Sequence, residues 1–214
     1  MIKAIIFDLD DTLIQTSKAK YKALQHAAKK FYNLELTDQD IRSHWGKPFE
    51  LFMRDLFGEI EETAKIIQNY YTVRNNFPTP AYEESKQTLL EFRDKYKLGV
   101  VTASTRHMTF EDLRIAGLSE LMFDLIQTCE ETSFHKPNPK VFDPIKNTFL
   151  QENILPNELL YVGDSLSDWE AAKGAEIHFV GIADRTTPKV KFDEVGVESV
   201  LKLDELKMIL DKMV

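Results

Sequence analysis

The sequence predicts an α/β protein: a doubly wound, mostly parallel sheet with a helical segment inserted after its first strand. Short apolar runs alternate with stretches of helical period along most of the chain. One long interval near the beginning breaks that alternation and reads as helix throughout. At 214 residues there is room for one ordinary domain and a smaller inserted one.

The first run, Ile2 to Leu9, is interrupted only by Lys3 and Asp8. A nearly continuous apolar run of this length suits a strand covered on both faces, as parallel sheets are. Four more runs read alike: Leu98 to Thr102, Phe123 to Thr128, Leu159 to Val162 and His178 to Ile182, with Ser199 to Leu203 as a weaker sixth. Between them, apolar residues at helical spacing predict helices over Arg106 to Ala116 (ended by Gly117), Asn138 to Leu150 and Ser167 to Gly174. A last helix is predicted over Asp204 to Met213, with Asp204 as its N-cap.

The helical interval runs from Ser17 to about Pro80, with pieces near Ser17 to Tyr32, Thr37 to Ser43, Pro48 to Phe57 and Ile60 to Asn75. Thr37 and Asp38 have capping chemistry, and Gly46-Lys47-Pro48 interrupts the pattern. The interval exceeds one crossover helix, so its apolar positions need a core of their own. The expected domains are therefore 1–16 with 81–214, and 17–80. Phe77-Pro78-Thr79-Pro80 forms a stiff return linker.

Composition narrows the function classes. A hydrophobic content of 43% is enough for a folded core. A formal net charge of -8 argues against a nucleic-acid binder, which needs a basic surface. Cys129 is the single cysteine, which leaves no internal disulfide and no cysteine zinc site. The sequence has no apolar stretch long enough for a membrane span and no leader-like start, so a cytoplasmic location is expected.

The chemistry gathers where strands end. Phe7-Asp8-Leu9-Asp10-Asp11-Thr12 puts three carboxylates at the end of an apolar strand, an odd choice for a poor strand former. Side chains two apart in extended chain share a side, so Asp8 and Asp10 converge. Their repulsion calls for a shared proton or a cation. Gly163-Asp164 ends a second buried strand, and Asp168 follows in the first turn of a helix. A hard cation such as Mg²⁺ takes oxygen ligands of this kind. Two readings are open for Asp168: a charge complementing the helix dipole, or a residue standing behind the metal ligands. Thr102-Ala103-Ser104 brings a hydroxyl and free amides to a helix start, which is anion-binding chemistry and also ordinary capping. His135-Lys136-Pro137-Asn138-Pro139 fixes one ammonium beside a proline-defined turn.

Together these four strand ends resemble the signature motifs of the haloacid dehalogenase superfamily. Asp8-x-Asp10-x-Thr12 matches the first, Thr102 the second, Lys136-Pro137 the third, and Gly163-Asp164-x3-Asp168 the fourth. The likeness spans nearly the whole chain, including the helical insert, which is similar to the family's cap. It is strongest to the phosphoglycolate phosphatase and β-phosphoglucomutase group. The resemblance implies a Rossmann-like core, a Mg²⁺ cofactor, and hydrolysis of a small phosphorylated metabolite through an aspartyl-phosphate. It makes Asp8 the nucleophile and Asp10 the general acid and base. Mg²⁺ would be held by Asp8, Asp164 and the Asp10 carbonyl, and the phosphoryl group by Thr102, the amide of Ala103, and Lys136. Ala103 departs from the asparagine that many related phosphatases carry there. Phosphoryl transfer of the phosphoglucomutase type, and a non-catalytic ligand-binding protein, are the alternatives. The cap loop Arg42-Ser43-His44-Trp45-Gly46-Lys47-Pro48 is the expected source of substrate contacts through Arg42, Trp45, Gly46 and Lys47. Trp45 plugging the cap's own core, with Arg42 and Lys47 in solvent, is the other reading. A monomer or homodimer is expected.

Overall fold

Burial on both faces decides where the strands lie. In the computed structural model, which describes residues 1–45 and 47–213, the strand Ala4–Phe7 (β1) is buried at every position. Ile5 and Phe7 point into one apolar layer, while Ala4 and Ile6 point into another. This is the period of two of an extended chain, with each face covered.

Five further strands join β1: Lys97–Val101 (β2), Leu125–Gln127 (β3), Leu159–Gly163 (β4), His178–Ile182 (β5) and Ser199–Val200 (β6). All pairs are parallel, and the order is β3-β2-β1-β4-β5-β6. The chain leaves β1 toward β2 on one side and later returns to build β4 on the other. The crevice beyond the carboxyl ends of β1 and β4 is therefore the topological switch point, where open α/β sheets bind ligands. Phe7 pairs with Val100 on one side and with Val162 on the other.

Helices numbered in chain order are Thr16–Tyr32 (α1), Asp38–His44 (α2), Phe49–Phe57 (α3), Thr63–Arg74 (α4), Ser85–Arg93 (α5) and Arg106–Ile115 (α6). They are followed by Asp143–Gln151 (α7), Leu166–Gly174 (α8), Lys189–Glu194 (α9) and Leu206–Leu210 (α10). Leu89 and Phe92 of α5, Leu113 of α6 and Leu206, Ile209 and Leu210 of α10 cover one sheet face. Ile145 and Phe149 of α7 and Ala171 and Ala172 of α8 cover the other.

Two compact units divide the chain: Met1–Ile14 with Ala81–Val214, and Gln15–Pro80. The second has its own core of Tyr21, Leu24, Ile41, Phe52, Met53, Phe57, Ile66 and Tyr70. Its α1 ends at Asn33, whose left-handed φ of 51° stops the helix. Thr37 caps α2 in a reciprocal box: its hydroxyl accepts from the Asp40 amide at 3.1 Å, and its own amide donates to Asp40 at 2.8 Å.

Several local expectations need correction. The helix predicted from Asn138 starts as a 3-10 turn over Pro139–Phe142 before α7. Asp204 does not cap the last helix: it sits inside a 3-10 turn, Leu203–Glu205, that precedes α10. The sixth strand is only Ser199–Val200. Helices α5 and α9 were not expected; each has few apolar residues, set among charges. Among the described residues, no helix is long and apolar enough to cross a membrane.

Candidate active site

Asp8 is the first residue past β1, and its amide donates to the Val162 carbonyl at 2.8 Å. That bond ties the backbone of Asp8 to the neighbouring strand, so its side chain emerges at the crevice beside Asp164. Both aspartates are buried. Carboxylate oxygens of Asp8, Asp164 and Asp168 lie within 4.8 Å of one another.

Lys136 stands among them. Its Nζ is 2.6 Å from Asp8 Oδ1, 2.6 Å from Asp168 Oδ1 and 2.9 Å from the Tyr161 hydroxyl. The loop that delivers it is anchored just downstream. Asn138 Oδ1 accepts from the Lys140 amide at 3.0 Å. Buried Gln127, at the end of β3, donates to the Val141 carbonyl at 2.6 Å and accepts from the Ile145 amide at 3.0 Å.

Asp168 uses its two carboxylate oxygens on different partners. Its Oδ2 accepts from the Ser165 amide at 3.0 Å, while the Ser165 hydroxyl accepts from the Asp168 amide at 3.2 Å, a capping box that starts α8. Its Oδ1 faces Lys136. Gly163 makes this possible: a Cβ there would lie 2.6 Å from Asp168 Cγ.

Burial dominates the electrostatics. It drives the Asp8 pKa up to about 7; Lys136 opposes this, and the Asp168 and Asp10 charges add to it. Burial also pushes Asp164 well above the ordinary carboxylate range, assisted by Asp168 and Asp8 and opposed by a hydrogen bond from Thr186. Burial alone would lower Lys136, but the Asp168 and Asp8 carboxylates outweigh it and hold the ammonium well above its usual pKa. Among the described residues, the buried carboxylates Asp8, Asp164 and Asp168 thus outnumber the Lys136 ammonium beside them. An all-oxygen donor set with excess negative charge fits a hard divalent cation.

Asp10 is half-buried, and its Oδ2 accepts from the Ser104 hydroxyl at 3.1 Å. Thr102 is buried at the end of β2; its amide donates to the Gln127 carbonyl at 3.1 Å, and its hydroxyl accepts from the Ser104 amide at 3.1 Å. Ala103 is exposed between them. Asp11, with φ of 54°, turns the chain. Arg185, from the loop after β5, donates to the Asp11 and Thr12 carbonyls, pairs with Glu84 at 2.6 Å, and stacks on Tyr82 with its guanidinium 3.4 Å from the ring centre.

The structure therefore brings Asp8, Lys136, Asp164 and Asp168 together, with Asp10, Thr102 and Ala103 on adjoining loops. Arg42, Trp45 and Lys47 belong to the second unit. Arg42 is exposed, and Lys47 pairs with Asp55 at 2.8 Å. Trp45 packs edge-on against Tyr21 and Phe52 in that unit's core. Gly46 lies outside the described residues. Sequence reasoning missed Tyr161, Ser104, Ser165 and Arg185. Only Ser165 left a signal, the Ser-x-x-Asp spacing of a capping box.

The family model described as haloacid dehalogenase-like hydrolase matches residues 5–182. A pyrophosphatase PpaX from Anoxybacillus flavithermus is 29% identical over 188 residues, covering 85% of this chain and 84% of the relative. A solved structure from Haemophilus somnus, designated a predicted phosphoglycolate phosphatase, has a TM-score of 0.81 at 20% identity, with 98% of each chain covered. That of CbbY from Rhodobacter sphaeroides, in complex with phosphate, has a TM-score of 0.76 at 19% identity, with 96% of each chain covered. With a family model spanning most of its length and the same fold in those structures, the chain belongs to the haloacid dehalogenase-like hydrolases.

Proposed function

We propose that the protein is a Mg²⁺-dependent phosphatase that hydrolyses a small phosphorylated metabolite through an aspartyl-phosphate on Asp8. The observation that carries this reading is the buried Asp8 carboxylate, 2.6 Å from Lys136 and beside Asp164 at the switch point of the sheet. Names of relatives support the reaction class and make inorganic pyrophosphate the first substrate to test.

Each residue has a task set by its chemistry. Asp8, Asp164 and the carbonyl of Asp10 hold the cation, which supplies charge neutralisation at the phosphate oxygens when bound. Lys136, the Thr102 hydroxyl and the Ala103 amide take the remaining phosphate oxygens. The Lys136 charge favours the ionised form of Asp8, the form that attacks phosphorus. As the Asp8–phosphorus bond forms, the bond to the ester oxygen breaks and Asp10 gives that oxygen its proton. Asp10, now a carboxylate, takes a proton from a water that attacks the phosphoaspartate. Phosphate leaves, and both carboxyl groups return to their starting states.

The test is a panel of phosphate esters, pyrophosphate and hexose phosphates, assayed with Mg²⁺ and with chelator. Phosphate release should require the metal. Asp8→Asn should abolish it while the circular dichroism spectrum stays that of the wild type. Substantial turnover by a folded Asp8→Asn variant would remove Asp8 as nucleophile. Isomerisation of a hexose phosphate without phosphate release would replace hydrolysis by phosphoryl transfer between substrate positions.

A further inference from the structure

We infer that Ser104 is a positioning residue for the proton-transfer group, holding Asp10 so that its acid proton is aimed at the leaving oxygen. The inference rests on the reading of Asp10 as general acid and base, and gives a task to a residue that the four motifs leave out.

Ser104 is well placed to fix another group because it is fixed itself. It is buried, its amide donates to Thr102 Oγ1 at 3.1 Å, and its carbonyl accepts from the Cys129 amide at 3.1 Å. The first contact ties it to the end of β2 and the second to the loop after β3, so its Oγ has a set location at the rim of the sheet. From there Oγ donates to Asp10 Oδ2 at 3.1 Å, a contact between residues 94 positions apart.

Asp10 needs such a restraint. It lies beyond the last rung of β1, on a half-buried loop, and a carboxyl group on two rotatable bonds samples several rotamers unless something selects one. With the hydroxyl donating to Oδ2, the acid form of Asp10 carries its proton on Oδ1. In the first half-reaction that proton passes to the ester oxygen as the phosphorus–oxygen bond breaks. The carboxylate left behind keeps the Ser104 hydrogen bond on Oδ2. The hydroxyl neither gains nor loses a proton, so Ser104 acts through Asp10 alone.

Leaving-group dependence separates this task from a structural one. An alkyl phosphate needs its departing oxygen protonated, whereas p-nitrophenyl phosphate expels a stable phenolate without that help. The ratio kcat/KM reports the first half-reaction, in which the leaving group departs. General acid catalysis contributes roughly 10²–10⁴-fold, and Ser104→Ala should forfeit part of it. We expect kcat/KM for the best alkyl ester of the panel to fall at least about tenfold further than for p-nitrophenyl phosphate. Asp10→Asn should show the same selectivity more strongly, and Ser104→Thr, which keeps a hydroxyl, should recover most of the loss. Equal losses on both esters, no loss on either, or a threonine variant no better than alanine would each overturn the inference. If the wild type hydrolyses neither ester, or Asp10→Asn lacks the selectivity, the reading of Asp10 falls, and the inference with it. If Asp10→Asn is selective and Ser104→Ala is not, only the inference falls.

Discussion

Asp8 holds a proton in the folded, metal-free protein far more tightly than an ordinary aspartate, with a pKa of about 7 against 3.8. The folded state therefore binds more protons than the unfolded chain between those values, and this residue's contribution to stability falls as pH rises through that window. Asparagine at position 8 has no such proton to lose. In chelator, the stability of Asp8→Asn relative to wild type should increase from pH 4 to pH 7 and then level off. The slope is at most about 1.4 kcal/mol per pH unit. Urea unfolding of both proteins at pH 5 and pH 8 measures it, and equal differences at the two values would contradict the burial argument. The site residues differ in how legible they are in sequence. Asp8 and Asp164 announce themselves because acids are out of place at the ends of apolar runs, and Lys136 because of the proline-defined turn beside it, whereas Asp168 also reads as an ordinary helix-start charge. Tyr161 and Ser104 do not. In sequence Tyr161 is one more core residue of a strand, and Ser104 one more hydroxyl near a helix start. Each acquires its role only from a partner brought close by the fold: Lys136, 25 positions away, for Tyr161, and Asp10, 94 positions away, for Ser104.

The strands place these groups through register, and the turn at Gly163 sets how closely β4 and α8 can approach. A methyl group at Gly163 would meet the root of the Asp168 side chain, which cannot swing aside without leaving Ser165 or Lys136. Gly163→Ala should cost about 1–3 kcal/mol of stability, as overpacking does. It should lower kcat much more, on the order of 10²-fold, because Lys136 loses one of its carboxylate partners. Chemical denaturation and steady-state kinetics on the same preparation would compare the two, and an active alanine variant would show that Asp168 tolerates displacement. Strands were legible because double-sided burial demands continuous apolar runs. Helices α5 and α9 were not. Helix α5 buries Ser85 and Thr88 beside Leu89 and Phe92, so half of its inward face looks polar in sequence. The cap of α10 was misplaced because Asp204 has the right chemistry, but the chain spends one more turn, as 3-10 helix, before α10 begins.

At the scale of the whole molecule, the first unit is assembled from two separated lengths of chain, and residues from both meet at the crevice. Asp8 comes from the first length, and Lys136, Asp164 and Asp168 from the second. A cation that binds only this assembled set stabilises the folded state by mass action, about 2.7 kcal/mol at a concentration one hundred times its dissociation constant. Mg²⁺ should therefore raise the melting temperature of the wild type above that in chelator and leave Asp164→Asn nearly unmoved. Equal shifts in the two proteins would place the ion elsewhere. The chain as a whole carries a net charge of -8 and offers other acids to a cation, which is why Asp164→Asn is the needed comparison.

Tyr161 joins the site to the core. Its ring lies in the apolar layer beneath the sheet, edge-on to Phe142 with centres 4.7 Å apart, while its hydroxyl holds Lys136. The Lys136 ammonium is moored through this hydroxyl to the protein's interior, so that repacking around the ring would shift its anchor. A smaller side chain at Phe142, which itself makes no polar bond to the site, would therefore loosen the ring that carries the hydroxyl and reach the carboxylates as misaligned charge.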